Sequence, residues 1–265
     1  MRVFEEVIVL ALIFWLEGIF PWFQGRKGRI HHALPNISMG IMNALVVSLL
    51  FSSFILAVIR WSEANSFGII RWIPGPSWFL GILGFLLFDL WMYGWHYANH
   101  NISFLWRFHR VHHADHMLDA TTALRFHLGE MIFSSVLRLA IIPLIGLSWI
   151  ELLIYELCLN PIIIFHHSNV ALPEKYDRIL RAVIVTPNFH RVHHSQVVSE
   201  TNSNYSSIFS WWDRLTRTFR KRQDTHTLNY GLSYLPEAQW QGFQGMLKLP
   251  FIKGEPYGPR EEIRL

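Results

Sequence analysis

Apolar residues in this chain fall into long blocks, with the polar positions gathered between them. Residues 3–20 are nearly continuous apolar sequence, long enough with their flanks for a membrane span of about twenty residues. Residues 38–59 and 78–95 form two more such blocks. Glu5 and Glu6 stand where a signal peptide needs positive charge, and no small-residue cleavage site follows, so the first block reads as an uncleaved anchor. Arg26, Lys27 and Arg29 fill the loop at 24–32, which the positive-inside rule places in the cytoplasm with the N-terminus outside. The connector at 60–77 holds Pro74, Gly75 and Pro76, with Trp61 and Trp72 in the position of an aromatic belt. The third block then returns inward and delivers His96 to the cytoplasmic interface.

A fourth apolar stretch, 131–165, is broken by Pro143, Gly146 and Ser148. One continuous helix of that length would rise about 50 Å, against a hydrocarbon core of about 30 Å. A hairpin of two short helices fits better, falling short of two full crossings, with both ends on the face that holds His127, His166 and His167. Arg138, about two turns in, is within snorkelling reach of the interface. Beyond Ser168 the chain carries more than half of its 23 Lys and Arg and no further span, which places it beside cytoplasmic headgroups. The fold class expected is all-α, an integral membrane bundle of three spans plus a short helical hairpin. Its N-terminal helices (1–95) and histidine-rich region (96–265) form one domain.

Composition agrees, with 51% hydrophobic and only 16% charged residues where soluble domains carry about a quarter. A single cysteine, Cys158, excludes an internal disulfide, a cysteine-held iron–sulfur cluster and a cysteine zinc site, so any metal must be held by nitrogen and oxygen. The net charge of +4 is modest. The basic run Arg214, Arg217, Arg220, Lys221 and Arg222 beside Trp211, Trp212 and Phe219 is explained more simply by lipid headgroups than by nucleic acid, and no nucleic-acid partner is expected.

The polar segments hold the chemistry. HYANH at 96–100 is followed by HRVHH at 109–113, and the same five letters return at 190–194. On helices, His96 and His100 share a face at i and i+4, while His109, His112 and His113, like His190, His193 and His194, repeat i, i+3 and i+4. Imidazole nitrogen binds iron, zinc and copper, and eight such rings exceed what one ordinary site can use, so the spacing points to a multi-metal centre. His127 is a further candidate ligand, His116 a solvated neighbour. His31 and His32 read as accessory ligands or, more simply, as an interfacial pair. Asp89, inside the third block and seven residues before His96, either orients a ligand ring or packs helices together; both readings stand. Asp115, Asp119 and Glu130 are read as carboxylates behind the ligands or as helix-terminal charges.

Neutral nitrogen ligands leave the charge of two metal ions nearly intact, which suits an anionic oxygen species held between them. Two irons bound this way can deliver electrons to O2 and generate an oxidant for unactivated C–H bonds. A site at the membrane interface draws its substrate from lipid. The chain shows no GxGxxG turn, cysteine set or haem domain, so electrons are expected from a separate reductase, ferredoxin or small cytochrome, with the basic tail as a dock for an acidic donor.

The three histidine runs together resemble the eight-histidine pattern of the fatty acid hydroxylase and sterol desaturase superfamily. TALRFH (122–127), FHHSN (165–169), TPNFHRVHH (186–194), Asn204 with Tyr205, and WDRLTRTF (212–219) are similar to passages of its bacterial and alkylglycerol-monooxygenase-like branches. The resemblance covers about half of the chain. It implies an all-helical fold with a cytosolic cap around a non-haem di-iron centre, O2 as co-substrate, and zinc in place of iron in some purified protein. His167 carries over as a ninth ligand. A tenth family histidine would fall on Ala171, which leaves His127 as the candidate to fill that place. Asp89, Asp115 and Asn188 complete the expected site. The implied activity is hydroxylation or desaturation of a fatty acyl, sterol or ether lipid in the bacterial cytoplasmic membrane or endoplasmic reticulum, with the site facing the cytoplasm. Two other readings remain: a non-redox membrane metal-binding or transport protein, and a bis-histidine haem protein, which would want single histidines on facing spans.

Overall fold

A computed structural model describes residues 2–252, so the end of the histidine-rich region, 253–265, lies outside the described residues. The described chain is built of helices and turns, with three isolated β-bridges and no strand. Helix α1 spans Arg2–Ile19, α2 Arg29–Ala64, the short α3 Ile69–Trp72 and α4 Ser77–Asn101. Helix α5 covers Ser103–His113, α6 Leu128–Ile145 and α7 Trp149–His167. Short helices follow: α8 Glu174–Leu180, α9 Pro187–His193, α10 Val198–Thr201, α11 Trp211–Leu215 and α12 Phe243–Lys248.

Four stretches are long and apolar enough to cross a membrane: Arg29–Trp72, Ser77–Asn101, Leu128–Ile145 and Trp149–His167. Helix α1 forms where the first apolar block lies but is not among them, because Arg2, Glu5, Glu6 and Glu17 interrupt its 18 residues. The 131–165 block does fold as a hairpin, and its arms are longer than expected. They have 18 and 19 residues, each rising close to the ~30 Å of a bilayer core. Pro143 is absorbed inside α6, and the break falls at Gly146, whose φ of 93° is open to glycine. Ser148 and Glu151 then start α7 as a reciprocal capping box.

Helix α2 packs on α6, α1 on α7, and α4 on both arms of the hairpin. Phe88 and Tyr155 centre the core with Ile142, Leu152 and Leu159. Glu17 ties α1 to the rest. Its carboxylate accepts from the backbone N–H of Ala120 (2.8 Å) and Asn169 (2.6 Å) and from Arg29 (3.0 Å). Helices from either side of residue 95 therefore interleave. The consequence for the site is that α4 runs past its apolar block, so His96 and His100 occupy its last turns.

Candidate metal centre

Ile102, in extended conformation between α4 and α5, turns the chain back so that the histidines of the two helices face each other. The His96 and His109 rings lie 5.0 Å apart, those of His100 and His113 4.7 Å. His167 is the last residue of α7. Thr186, whose hydroxyl accepts from the Phe189 N–H, and Pro187 start α9, which carries His190 and His193 with His194 at its end.

The rings sort into two groups, His96, His100, His109, His113 and His193 in one, His112, His167, His190 and His194 in the other, with candidate ligand atoms within 4.8 Å of one another in each. Successive residues on a helix point about 100° apart. The doublet of each HRVHH run is therefore split: His112 and His113 serve different groups, as do His193 and His194. The spelling HRVHH is thus a device for reaching two adjacent positions from one short helix.

In the first group the outer ring nitrogens hold backbone or side-chain acceptors. His96 Nδ1 donates to the Tyr205 carbonyl (2.8 Å), His193 Nδ1 to the Ser203 carbonyl (2.6 Å), and His109 Nδ1 to Glu130 (2.9 Å). His100 Nδ1 faces the Asn202 amide oxygen at 3.4 Å. A carbonyl or carboxylate only accepts, so these contacts place the proton on Nδ1 and leave Nε2 with a bare lone pair. All five Nε2 atoms of the group are buried without a hydrogen-bond partner. Four lone pairs with nothing to accept from, converging with the unpartnered Nε2 of His113, are what a cation would satisfy.

The second group closes more tightly. His167 Nδ1 donates to the Ile163 carbonyl (2.7 Å), so its Nε2 is a lone pair, yet the Nε2 atoms of His112 and His190 both stand 3.0 Å away. His194 Nε2 is 3.1 Å from His190 Nε2. Nitrogens bound tetrahedrally at 2.0–2.1 Å would be about 3.3–3.4 Å apart. Burial, and then the neighbouring imidazoles, lower the basicity of His112, His113, His190 and His194 well below the ordinary histidine range, and burial brings His193 down to about 3. The rings are kept neutral and free to bind metal. The donor set fits two ions held by nitrogen.

The remaining expected residues lie elsewhere. His127 joins neither group: it caps α6 by accepting from the Gly129 N–H, and its Nε2 donates to the Leu247 carbonyl at 3.2 Å. Asp89 touches no histidine. Its oxygens accept from the Tyr155 hydroxyl (2.8 Å), the Trp212 indole (2.8 Å) and the Phe209 N–H (3.2 Å). Asp115 accepts from His32 (2.7 Å), Thr122 (2.7 Å) and the Met117 N–H (2.9 Å). Asp119 holds the other nitrogen of His32 at 2.8 Å, and a ring with a carboxylate at each nitrogen donates from both. His32 thus clips α2 to the segment after the second histidine run, whereas His31 and His116 are exposed. Asn188 bonds the Leu172 carbonyl and Arg191.

Sequence reasoning gave no role to Tyr205, whose carbonyl orients His96 and whose ring edges His96, His100 and His193. It also passed over His166, buried 4.1 Å from His190 ring to ring. The FHH doublet was the available signal for His166, whereas a backbone carbonyl leaves no mark in a sequence.

Comparison with known proteins matches residues 81–218, just over half of the chain, to the fatty acid hydroxylase family. The chain is 28% identical to the alkylglycerol monooxygenase of Danio rerio over 83% of its own length and 47% of the relative's. It is 26% identical to the ornithine lipid hydroxylase OlsE of Rhizobium tropici, over 92% of itself and 73% of that protein. It is 24% identical to the cholesterol 25-hydroxylase of Rattus norvegicus, over 77% and 70%. The chain spans about half the length of the alkylglycerol monooxygenases it matches. No solved structure matches it. The matched stretch contains every histidine of the two groups, and the chain belongs to the fatty acid hydroxylase family.

Proposed function

We propose that this protein is a membrane-bound lipid hydroxylase with two irons held by the nine grouped histidines, drawing on O2 and on electrons from a separate donor protein. One observation carries the reading: two buried sets of converging ring nitrogens meet at the ends of helices able to cross a membrane. Once bound, the ions supply oxidation of an unactivated C–H bond by O2. The chain's own residues hold the protons. Nδ1 of His96, His109, His167 and His193 each stay protonated against a fixed acceptor, so the inward nitrogens stay bare through turnover. The half-buried His96 and eight buried rings, closed in by Tyr205 and by Phe126 stacked on His112 at 4.4 Å, keep bulk water away.

The relatives' names favour hydroxylation over desaturation and an amphiphilic lipid over a free small molecule. They also favour the oxygenase over a metal carrier. We assign the site to the cytoplasmic face of the bacterial cytoplasmic membrane or endoplasmic reticulum, because the basic loop is tied to the site's end of the bundle: Arg26 bonds the Leu118 carbonyl, and Arg29 bonds Glu17, which holds the Asn169 N–H. For the donor we favour Arg217 and Arg220, which are exposed, over Lys221 and Arg222, which are paired with Glu174 (3.0 Å) and Glu200 (2.8 Å). The Arg220 N–H bonds Asn204, the residue before Tyr205, so a donor seated there stands close to His96.

Cells with and without the gene, grown under 18O2, test the reaction: a lipid gaining one labelled oxygen only when the gene is present supports it, and unchanged lipid extracts count against it. Arg217→Glu with Arg220→Glu should slow turnover with the protein donor and leave a chemical reductant's rate unchanged. Equal rates with the protein donor would remove the docking surface.

A further inference from the structure

The two histidine groups are not alike. The first offers five rings and the second four. A difference in charge adds to this. Around the first group, His96 and His193 donate to backbone carbonyls and His100 faces an amide, and in the second His167 also donates to a backbone carbonyl. His109 alone among the grouped rings is hydrogen-bonded to a carboxylate, Glu130 Oε1 at 2.9 Å.

Glu130 is built into place. It lies in the first turn of α6 with only 4% of its surface exposed, and Asn99 Nδ2 donates to the same Oε1 at 3.2 Å. Its second oxygen, Oε2, is buried with no partner. A buried carboxylate with an unspent oxygen is costly unless a positive charge lies near. No Lys or Arg bonds it among the described residues. The cation that balances it is the one His109 would bind.

We propose that Glu130 is a positioning residue that acts through His109 to make the two metal positions inequivalent, with the five-histidine position the tighter and the more electron-rich. This rests on the two-metal reading above. A carboxylate behind a ligand histidine fixes the ring, raises the basicity of its inward nitrogen and adds negative charge beside one ion only. The four-histidine position, with one ligand fewer and no carboxylate, is left the more open to exogenous ligands.

The test is Co(II) titration of the metal-free full-length protein in detergent, read by visible absorption and by competition with a chelator. Wild type should bind two Co(II) in unequal steps, with His193→Ala losing the tighter and His190→Ala the weaker. Glu130→Gln keeps shape and removes charge. It should weaken the tighter step about 10–100-fold, shift that step's absorption bands and leave the other step unchanged. Glu130→Met, which also removes the acceptor, should weaken the same step at least as much. A merely structural role would loosen both steps or neither. Either of those results, or an effect confined to the step that His190→Ala removes, overturns the proposal. Two equal steps in wild type overturn it even if neither Glu130 variant folds. Wild type that binds no pair of ions would instead overturn the two-metal reading itself.

Discussion

At the scale of single residues, hydrogen-bond capacity separates ligands from supports. A ligand ring turns one nitrogen toward the other rings of its group; a capping ring has both nitrogens in use. His127 belongs to the second kind, so His127→Phe should retain both ions and lower unfolding stability by about 1 kcal/mol for the lost Leu247 bond. Metal analysis beside thermal unfolding in detergent checks this, and loss of one ion would return His127 to the ligand set. Asp89 carries three donors from α7 and the segment at 209–212. Asp89→Ala should cost about 2–3 kcal/mol by leaving them unmet, with the metal content largely kept. A variant as stable as wild type would show that water replaces the carboxylate. The eight motif histidines were legible as a set because each spacing is local to one short stretch of chain, whereas His167 followed only from the family resemblance. The roles of Asp89, Asp115 and Asn188 were not legible: Tyr155 and Trp212 reach Asp89, and His32 reaches Asp115, from far away in sequence, and the Leu172 carbonyl that Asn188 bonds leaves no mark there.

At the scale of elements, an ion pair joins the two arms of the α6–α7 hairpin. Arg138 meets Glu156 at 2.9 Å, with the guanidinium over the rings of Phe88 and Trp91. Arg138→Leu leaves Glu156 without that charge and should destabilise by about 3 kcal/mol, while Arg138→Leu with Glu156→Leu should recover most of the loss. A double variant no better than the single one would mean that the pair fixes the hairpin's geometry. A C-terminal strap of α12 and the turns beside it covers α5. Arg107 and Arg110 reach the carbonyls of Pro250, Leu249 and Ile252, and Arg125 reaches that of Trp240. Arg110→Ala should therefore speed proteolytic cleavage within 238–252; an unchanged rate would leave the apolar contacts of Met246 and Leu249 as the strap's main hold. The apolar blocks announced the long helices. Their ends did not follow, since α4 continues into polar sequence where tertiary partners accept His96 and His100.

At the scale of the whole molecule, the site joins α4, α5, α7 and α9, so whatever binds there couples four helices. Stripping metal with a chelator should lower the unfolding temperature, and adding metal back should raise it with concentration, by about 2.7 kcal/mol at a hundredfold excess over the dissociation constant. An unfolding temperature indifferent to metal would mean that the helices close without it. The sequence by itself determined the helical membrane character, the hairpin and the identity of the histidine set, because hydropathy and i, i+3, i+4 spacing are properties of short stretches. Only the tertiary structure decided how those histidines divide between two positions, that His127 stands outside them and that Glu130 backs one alone. Those outcomes depend on which ring nitrogen finds an acceptor, and the acceptors are carbonyls and carboxylates brought from other helices by packing.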